Sequence, residues 1–225
     1  MIIISKEDSN KQVASLLERY PNLTVTSKTE NKVDIKGKIH INRNCDKISV
    51  CKEYGIEISI PLNSDRLPVV RETEHYIRNY PHMYTDRSLC LATDTDLYLH
   101  FREGFDLVTW MEEYVEIYFV SYECYKRYGI FPFGERSHGS KGVLEFYCDY
   151  FKIASNKQVK GFISYIATTE YKGHHPCPCG SGKKLRNCHR DSILSAKRDD
   201  YLFALIKRDL YLIEAEGARK NARNS

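Results

Sequence analysis

The chain has 225 residues, 42% of them hydrophobic and 28% charged, and a formal net charge of +4. These are the values of a soluble globular protein able to bury a core, organised as one substantial domain or as one domain with an appendage. No apolar run approaches the roughly 20 residues that cross a bilayer, and Lys6, Glu7 and Asp8 break the apolar start at once, so we expect a cytoplasmic protein with no membrane partner.

In chain order, Ser5 followed by Asp8 resembles a helix-capping box. Val13, Leu16, Leu17 and Tyr20 then recur on one helical face, which Pro21 ends. Val33, Ile35, Ile39 and Ile41 alternate with polar residues, as do Ile48 and Val50, then Ile56, Ile58 and Ile60. This predicts an antiparallel meander with one buried face. Turns are expected at Asn42, Asn44 and Asp46 and at Tyr54-Gly55. From Pro68 to about Gly104 regular periodicity fades, and long irregular segments are often functional. Helical spacing returns at Leu107, Trp110, Met111, Tyr114, Tyr118, Tyr122 and Tyr125, between a cap at Asp106 and a stop at Gly129. A loop from Phe131 to Gly142 precedes helices over Val143–Phe151 and Val159–Ile166, and a last helix carries Leu202, Leu205, Ile206, Leu210 and Ile213. The fold class is α+β, with helices segregated from an antiparallel sheet. We expect a main domain over 1–172, a metal-binding segment with a C-terminal helix over 173–216, and a disordered tail over 217–225.

The charge is uneven. Residues 183–225 hold eleven Lys or Arg and six Asp or Glu, a balance of +5, so the rest of the chain is close to neutral. A solvated surface accounts for such a tail; an acidic partner such as RNA, the ribosome or an acidic protein is the sharper reading. Of the 17 tyrosines, most fall at helical spacing and read as core rather than as base-stacking residues.

There are eight cysteines. In a reducing compartment they are free thiols, metal ligands or a nucleophile rather than disulfides. Cys177, Cys179, Cys188 and His189 have the composition of a closed tetrahedral zinc site, with Gly180 and Gly182 permitting a tight turn between the first pair and the second. Four protein ligands make the site structural and not catalytic, and so short a segment folds only around its metal. Lys183, Lys184, Arg186 and Arg190 would offset the negative charge of three thiolates. These residues closely resemble the SEC-C motif, named for the tail of the preprotein translocase SecA. The resemblance implies Zn2+ on Cys177, Cys179, Cys188 and His189. In SecA the motif contacts an export chaperone and the ribosome.

Cys90 stands in the irregular segment, in His82-Met83-Tyr84-Thr85-Asp86-Arg87-Ser88-Leu89-Cys90-Leu91. A cysteine between leucines is more often buried and inert. A reactive one needs partial exposure and help in forming thiolate, which Arg87 and His82 are placed in sequence to give. Here the chain resembles the ubiquitin-conjugating enzyme fold: helix, four-stranded meander, proline-rich turn, active-site loop, then helices. Ile56–Pro61 leading to Leu67-Pro68 is similar to that family's last strand and the prolines after it. His82, Cys90 and Leu91 match the family's histidine, catalytic cysteine and following leucine in spacing. Met83 and Tyr84 stand where the family has Pro and Asn, so no residue carries over for that Asn. Gly129–Gly139 is similar to bacterial relatives found in antiphage operons, including cyclic-oligonucleotide-based signalling systems.

That resemblance implies acyl transfer through a cysteine thioester. Cys90 would take the C-terminus of a protein, in those systems a cGAS-like nucleotidyltransferase, and pass it to an acceptor lysine. His138 would orient the loop or move a proton, or be an ordinary loop histidine beside a glycine turn; His82 would shape the loop. A non-catalytic conjugating-like adaptor that binds a protein partner, the ribosome or RNA through the SEC-C motif and the basic tail is the alternative. A third possibility is an unrelated α+β scaffold with Cys90 in its core.

Overall fold

In the computed structural model, which describes residues 3–45 and 48–223, helix α1 (Lys6–Arg19) begins as its sequence dictates. The Ser5 hydroxyl oxygen accepts the Asp8 N–H at 3.0 Å and donates to the Asp8 carboxylate at 2.6 Å, closing one orphan donor of the first turn. Strands β1 (Leu23–Lys28), β2 (Lys32–Cys45), β3 (Ile48–Pro61) and β4 (Val69–Glu72) follow as an antiparallel sheet in sequential order. The mixed α+β class and the four-stranded meander stand as expected.

Three details of the meander differ from the sequence reading. Tyr54-Gly55 is not a turn but the middle of β3, opposite Ile39 and Lys38. The buried side chains at 48, 50, 54, 56, 58 and 60 lie on one face, so a period of two runs along the strand, with Lys52 only partly buried and the backbone of Gly55 also covered. Tyr54 fits that face because its ring stacks on Phe119 at 4.1 Å and its hydroxyl donates to Glu123 at 2.6 Å. Gly55 is needed because the chain leaving β4 crosses over it: a Cβ there would lie 2.7 Å from the side chains of Thr73 and Glu74. Asn42 and Asn44 pair with Cys51 and Ser49 instead of turning; Asp46 lies outside the described residues. Finally, Ile56–Pro61 is the second half of the third strand. The last strand, β4, follows Pro68. β1 has no apolar alternation because only Leu23 on it is buried.

The helix predicted from Leu107 to Gly129 is one continuous rod in three parts: α3 (Leu107–Trp110), a π-helical stretch (Met111–Val115) and α4 (Glu116–Tyr128). The Asp106 carboxylate accepts the Thr109 N–H at 2.7 Å, and Gly129 ends the rod at φ 69°, as capping rules require. Gln12 of α1 pins its start, accepting the Leu107 N–H at 3.1 Å and donating to the Phe105 carbonyl at 3.0 Å. Just past the π-helical stretch, Glu116 turns into the core. It accepts from the Tyr20 hydroxyl at 2.7 Å and the Arg43 guanidinium at 2.6 Å.

The elements sort into two compact units. One comprises Met1–Ala92 and Glu103–Glu135; the other comprises Thr93–Arg102 and Arg136–Ser225. This division departs from the expected boundary between 172 and 173. The second unit holds α2 (Asp94–His100), α5 (Gly139–Phe151), α6 (Asn156–Thr168), α7 (Arg190–Arg198) and α8 (Asp200–Arg223). α2 has too few apolar residues to show a period, yet Thr93 caps it by accepting the Asp96 N–H at 3.2 Å. Its Thr95 donates at 2.7 Å to buried Asp209, which also accepts from the Tyr147 hydroxyl at 2.9 Å. Tyr147, Val159, Phe162, Ile163, Ile166, Ile206 and Ile213 form the core, and Cys177, Leu185 and Ile193 belong to it. The cysteine-rich segment is thus part of this unit's interior and not an appendage. The expected disorder from 217 does not hold over 217–223, where α8 continues; residues 224 and 225 lie outside the described residues. No described helix is long and apolar enough to cross a membrane.

The strand faces make a direct test. Ile35→Ala, on the buried face of β2, is expected to cost about 2–5 kcal/mol in urea unfolding, whereas Val25→Ala on exposed β1 should stay within about 0.5 kcal/mol.

Candidate functional site

The loop that carries Cys90 is built onto the free edge of β4. The Glu72 N–H donates to the Arg87 carbonyl at 3.2 Å and the Leu89 N–H to the Val70 carbonyl at 2.9 Å, so Arg71 and Ser88 lie opposite one another. The segment before it folds back as a small hairpin. Tyr84 donates its N–H to the Ser88 carbonyl at 2.9 Å, Arg87 to the Tyr84 carbonyl at 3.0 Å, and Cys90 to the His82 carbonyl at 2.8 Å. Arg87 turns the hairpin at φ 68°, a conformation that costs a non-glycine residue about 1 kcal/mol or more.

Arg87 holds that conformation because its guanidinium is committed inside. It forms an ion pair with Glu72, whose side chain has no exposed surface, and donates to the Ile77 carbonyl at 3.0 Å. The other Glu72 oxygen accepts the N–H groups of Glu74 at 2.8 Å and Tyr76 at 3.0 Å. One carboxylate therefore ties the last strand, the segment leaving it and the hairpin together. At the tip, Ser88 donates its hydroxyl and its N–H to Asp86 at 2.5 and 3.1 Å, and Arg71 donates at 3.1 Å. The Ser88 bonds, with Arg71 assisting, hold the Asp86 carboxyl below the usual range.

Cys90 emerges from this frame half-buried. A ring nitrogen of His82 lies within 4.8 Å of its sulfur, and the Tyr84 hydroxyl donates to the sulfur at 3.4 Å. His82 is oriented by Glu135 at 3.7 Å and by the edges of Phe131 and Tyr80, with centroids at 5.2 and 5.6 Å. Beside the hairpin runs an open groove of about 550 Å³ lined by Ile77, Arg78, Asn79, Tyr80 and Pro81 among others. His138 belongs to the helical unit, where it precedes the first residue of α5 without a side-chain cap bond. The Glu216 carboxylate caps that helix instead, accepting the Ser140 N–H at 2.9 Å. Sequence reasoning singled out Cys90 and His82, which the structure places within 4.8 Å of one another, and did not single out Glu72 or Tyr84. Glu72 had no signal beyond being an acidic residue in a strand.

The second candidate site is the cluster of Cys177, Cys179, Cys188 and His189. The Cys177 N–H donates to the Lys183 carbonyl at 2.8 Å and the Gly180 N–H to the Cys177 carbonyl at 3.2 Å, closing the first turn. A 3-10 turn (Leu185–Asn187) delivers Cys188 and His189. Gly180 and Gly182 sit at φ 79° and 73°, as the tight turn between the cysteines requires. The Nδ1 of His189 lies 3.4 Å from the Cys177 sulfur and 3.2 Å from that of Cys188, and the sulfurs of Cys179 and Cys188 are 3.6 Å apart. A tetrahedron with metal–sulfur bonds of about 2.3 Å and a metal–nitrogen bond of about 2.0 Å has edges of roughly 3.5–3.8 Å. Three thiols and an imidazole, all within 4.8 Å of one another, can therefore hold such an ion. Burial raises the Cys177 thiol well above its ordinary range; Cys179, against its own desolvation, is lowered by hydrogen bonds from Ser181. His174 and His175 are not in the cluster; the His175 backbone instead bonds Lys172 and Leu185.

Among families of known proteins, the SEC-C motif matches residues 176–191, the segment that holds all four clustered residues. Motifs of that family usually bind zinc. No curated protein and no solved structure matches the chain.

The buried ion pair of the loop can be broken from one side. Arg87→Ala leaves Glu72 buried and uncompensated, and is expected to lower unfolding free energy by about 3–5 kcal/mol. Replacing both residues by apolar ones of similar volume should recover most of that loss.

Proposed function

We propose that this chain is a bacterial ubiquitin-conjugating-like acyltransferase with Cys90 as nucleophile. The observation that carries the reading is the placement of Cys90. It follows a helix and a four-stranded meander, at the end of a loop locked onto the last strand, and is partly exposed. The spacing of His82 to Cys90 adds to it.

The chemistry needs an acyl donor activated elsewhere, as a thioester or an acyl adenylate of a protein C-terminus. The Cys90 thiolate attacks the acyl carbon; a carbon–sulfur bond forms and the bond to the donor's leaving group breaks. An acceptor amine then attacks the thioester, the carbon–nitrogen bond forms, the amine gives up a proton and Cys90 leaves as thiolate. His82, held by Glu135, keeps the loop in shape. The similarity of Gly129–Gly139 to bacterial relatives supports a cGAS-like nucleotidyltransferase as the protein carried and a role in antiphage defence.

The SEC-C match favours a docking role for the second site. The four ligands would take one structural zinc ion, which bound would neutralise the thiolates and hold the two turns together. The adjoining Lys183, Lys184, Arg186 and Arg190 would present a basic surface to a protein partner or the ribosome.

Two measurements test these assignments. Incubation with the products of neighbouring genes and ATP should yield an adduct that thiol reductant releases and that Cys90→Ala abolishes. An adduct unchanged in Cys90→Ala, or none at all, would leave a non-catalytic adaptor as the better reading. Metal analysis should find about one zinc per chain. Replacing Cys177 and Cys179 together by Ser should remove it and destabilise the helical unit.

A further inference from the structure

We propose that the Tyr84 hydroxyl is a working group of the Cys90 site, a hydrogen-bond donor that stabilises the thiolate. The inference rests on the acyltransferase reading for its use but not for its test. The hairpin brings the two residues together: their backbones are linked through the Tyr84–Ser88 and His82–Cys90 hydrogen bonds, and the Tyr84 oxygen stands 3.4 Å from the sulfur, within reach for its hydroxyl to donate. The Tyr84 side chain is half exposed at 50%, so its hydroxyl is not confined to this contact by burial.

A neutral thiol is a weak acceptor, whereas a thiolate makes a charge-assisted bond roughly twice as strong as a neutral one. The donor therefore favours ionised Cys90 over protonated Cys90, which is what a nucleophile at neutral pH requires. The same hydroxyl lies beside the sulfur when the acyl group arrives, so it is in reach of the oxygen on which negative charge develops.

Other titratable groups face this sulfur. His82 has a ring nitrogen within 4.8 Å and itself faces Glu135. Tyr80 and Tyr118 feel the charge of Cys90, but burial pushes Tyr80 up to about 12 and Tyr118 higher still, so both stay neutral through the working range. His82→Ala is the control for that imidazole.

The experiment is the pH profile of Cys90 alkylation by iodoacetamide, read by mass spectrometry of the peptide that carries it. It compares the full chain with Tyr84→Phe and His82→Ala. Tyr84→Phe keeps the ring and loses only the donor. We expect its profile to shift upward by about half to one pH unit, making alkylation near neutrality roughly three- to tenfold slower, and to rejoin the parent profile at the alkaline plateau. Persistence of the Tyr84→Phe shift when His82 is also replaced would separate the two groups. Superimposable profiles for the parent and Tyr84→Phe, with both folded by circular dichroism, would overturn the proposal. The assay uses no acyl donor. A shifted profile in a protein that forms no Cys90 adduct would leave the Tyr84 pairing intact and remove the acyltransferase reading alone.

Discussion

A carboxylate with no exposed surface has to be matched by a cation and by hydrogen bonds, because its desolvation would otherwise cost several kcal/mol. Glu72 meets that demand with Arg87 on one oxygen and the N–H groups of Glu74 and Tyr76 on the other. The geometry of the Cys90 loop follows from this requirement. Arg87 must stay inside, so it accepts a left-handed backbone; the hairpin must therefore lie along β4; and Cys90 leaves it in a fixed direction beside Tyr84 and His82. The pair adds little net stability against an apolar replacement. Its contribution is to make one loop conformation the only one in which no buried charge is stranded.

The meander supplies the rigid side of this arrangement. The apolar even-numbered residues of β3 face the core, and Tyr54, Glu116 and Glu123 carry polar groups into the layer between sheet and helix, each with a partner. The extra turn width of the π-helical stretch accompanies the inward position of Glu116, where Tyr20 and Arg43 meet it. Such stretches are rare and occur mostly as single turns inside α-helices.

What could be read from the sequence was what is local. Ser5, Asp106 and Gly129 mark helix ends because capping depends on neighbours three or four residues away. The isoleucines of β2 and β3 mark strands because burial alternates with a period of two. The four clustered ligands are legible because a metal site in a short turn must keep its donors close in sequence. Errors arose where a distant contact overrode a local signal. Tyr54-Gly55 has the composition of a turn, but the chain passing over Gly55 and the ring of Phe119 keep it in the strand. β4 and α2 are too short to show a period. Glu72 and Arg87 are fifteen positions apart, and no spacing rule joins them. The 172/173 boundary was drawn on composition, and composition does not show that the few apolar residues of the cysteine-rich segment share a core with α5, α6 and α8.

That last point reaches beyond folding. Cys177, Leu185 and Ile193 pack with Phe162 and Ile163, and the ring of His189 meets Phe162 edge-on at 5.1 Å. Where the four donors hold an ion, the metal is also a wedge that keeps this interior closed. Withdrawal of the ion would free the turns that carry Cys177 and Leu185 and open apolar surface to solvent. Such exposed segments are what cellular proteases attack, and a loss of one or two kcal/mol already changes abundance several-fold. The amount of this protein in a cell would then follow the supply of metal.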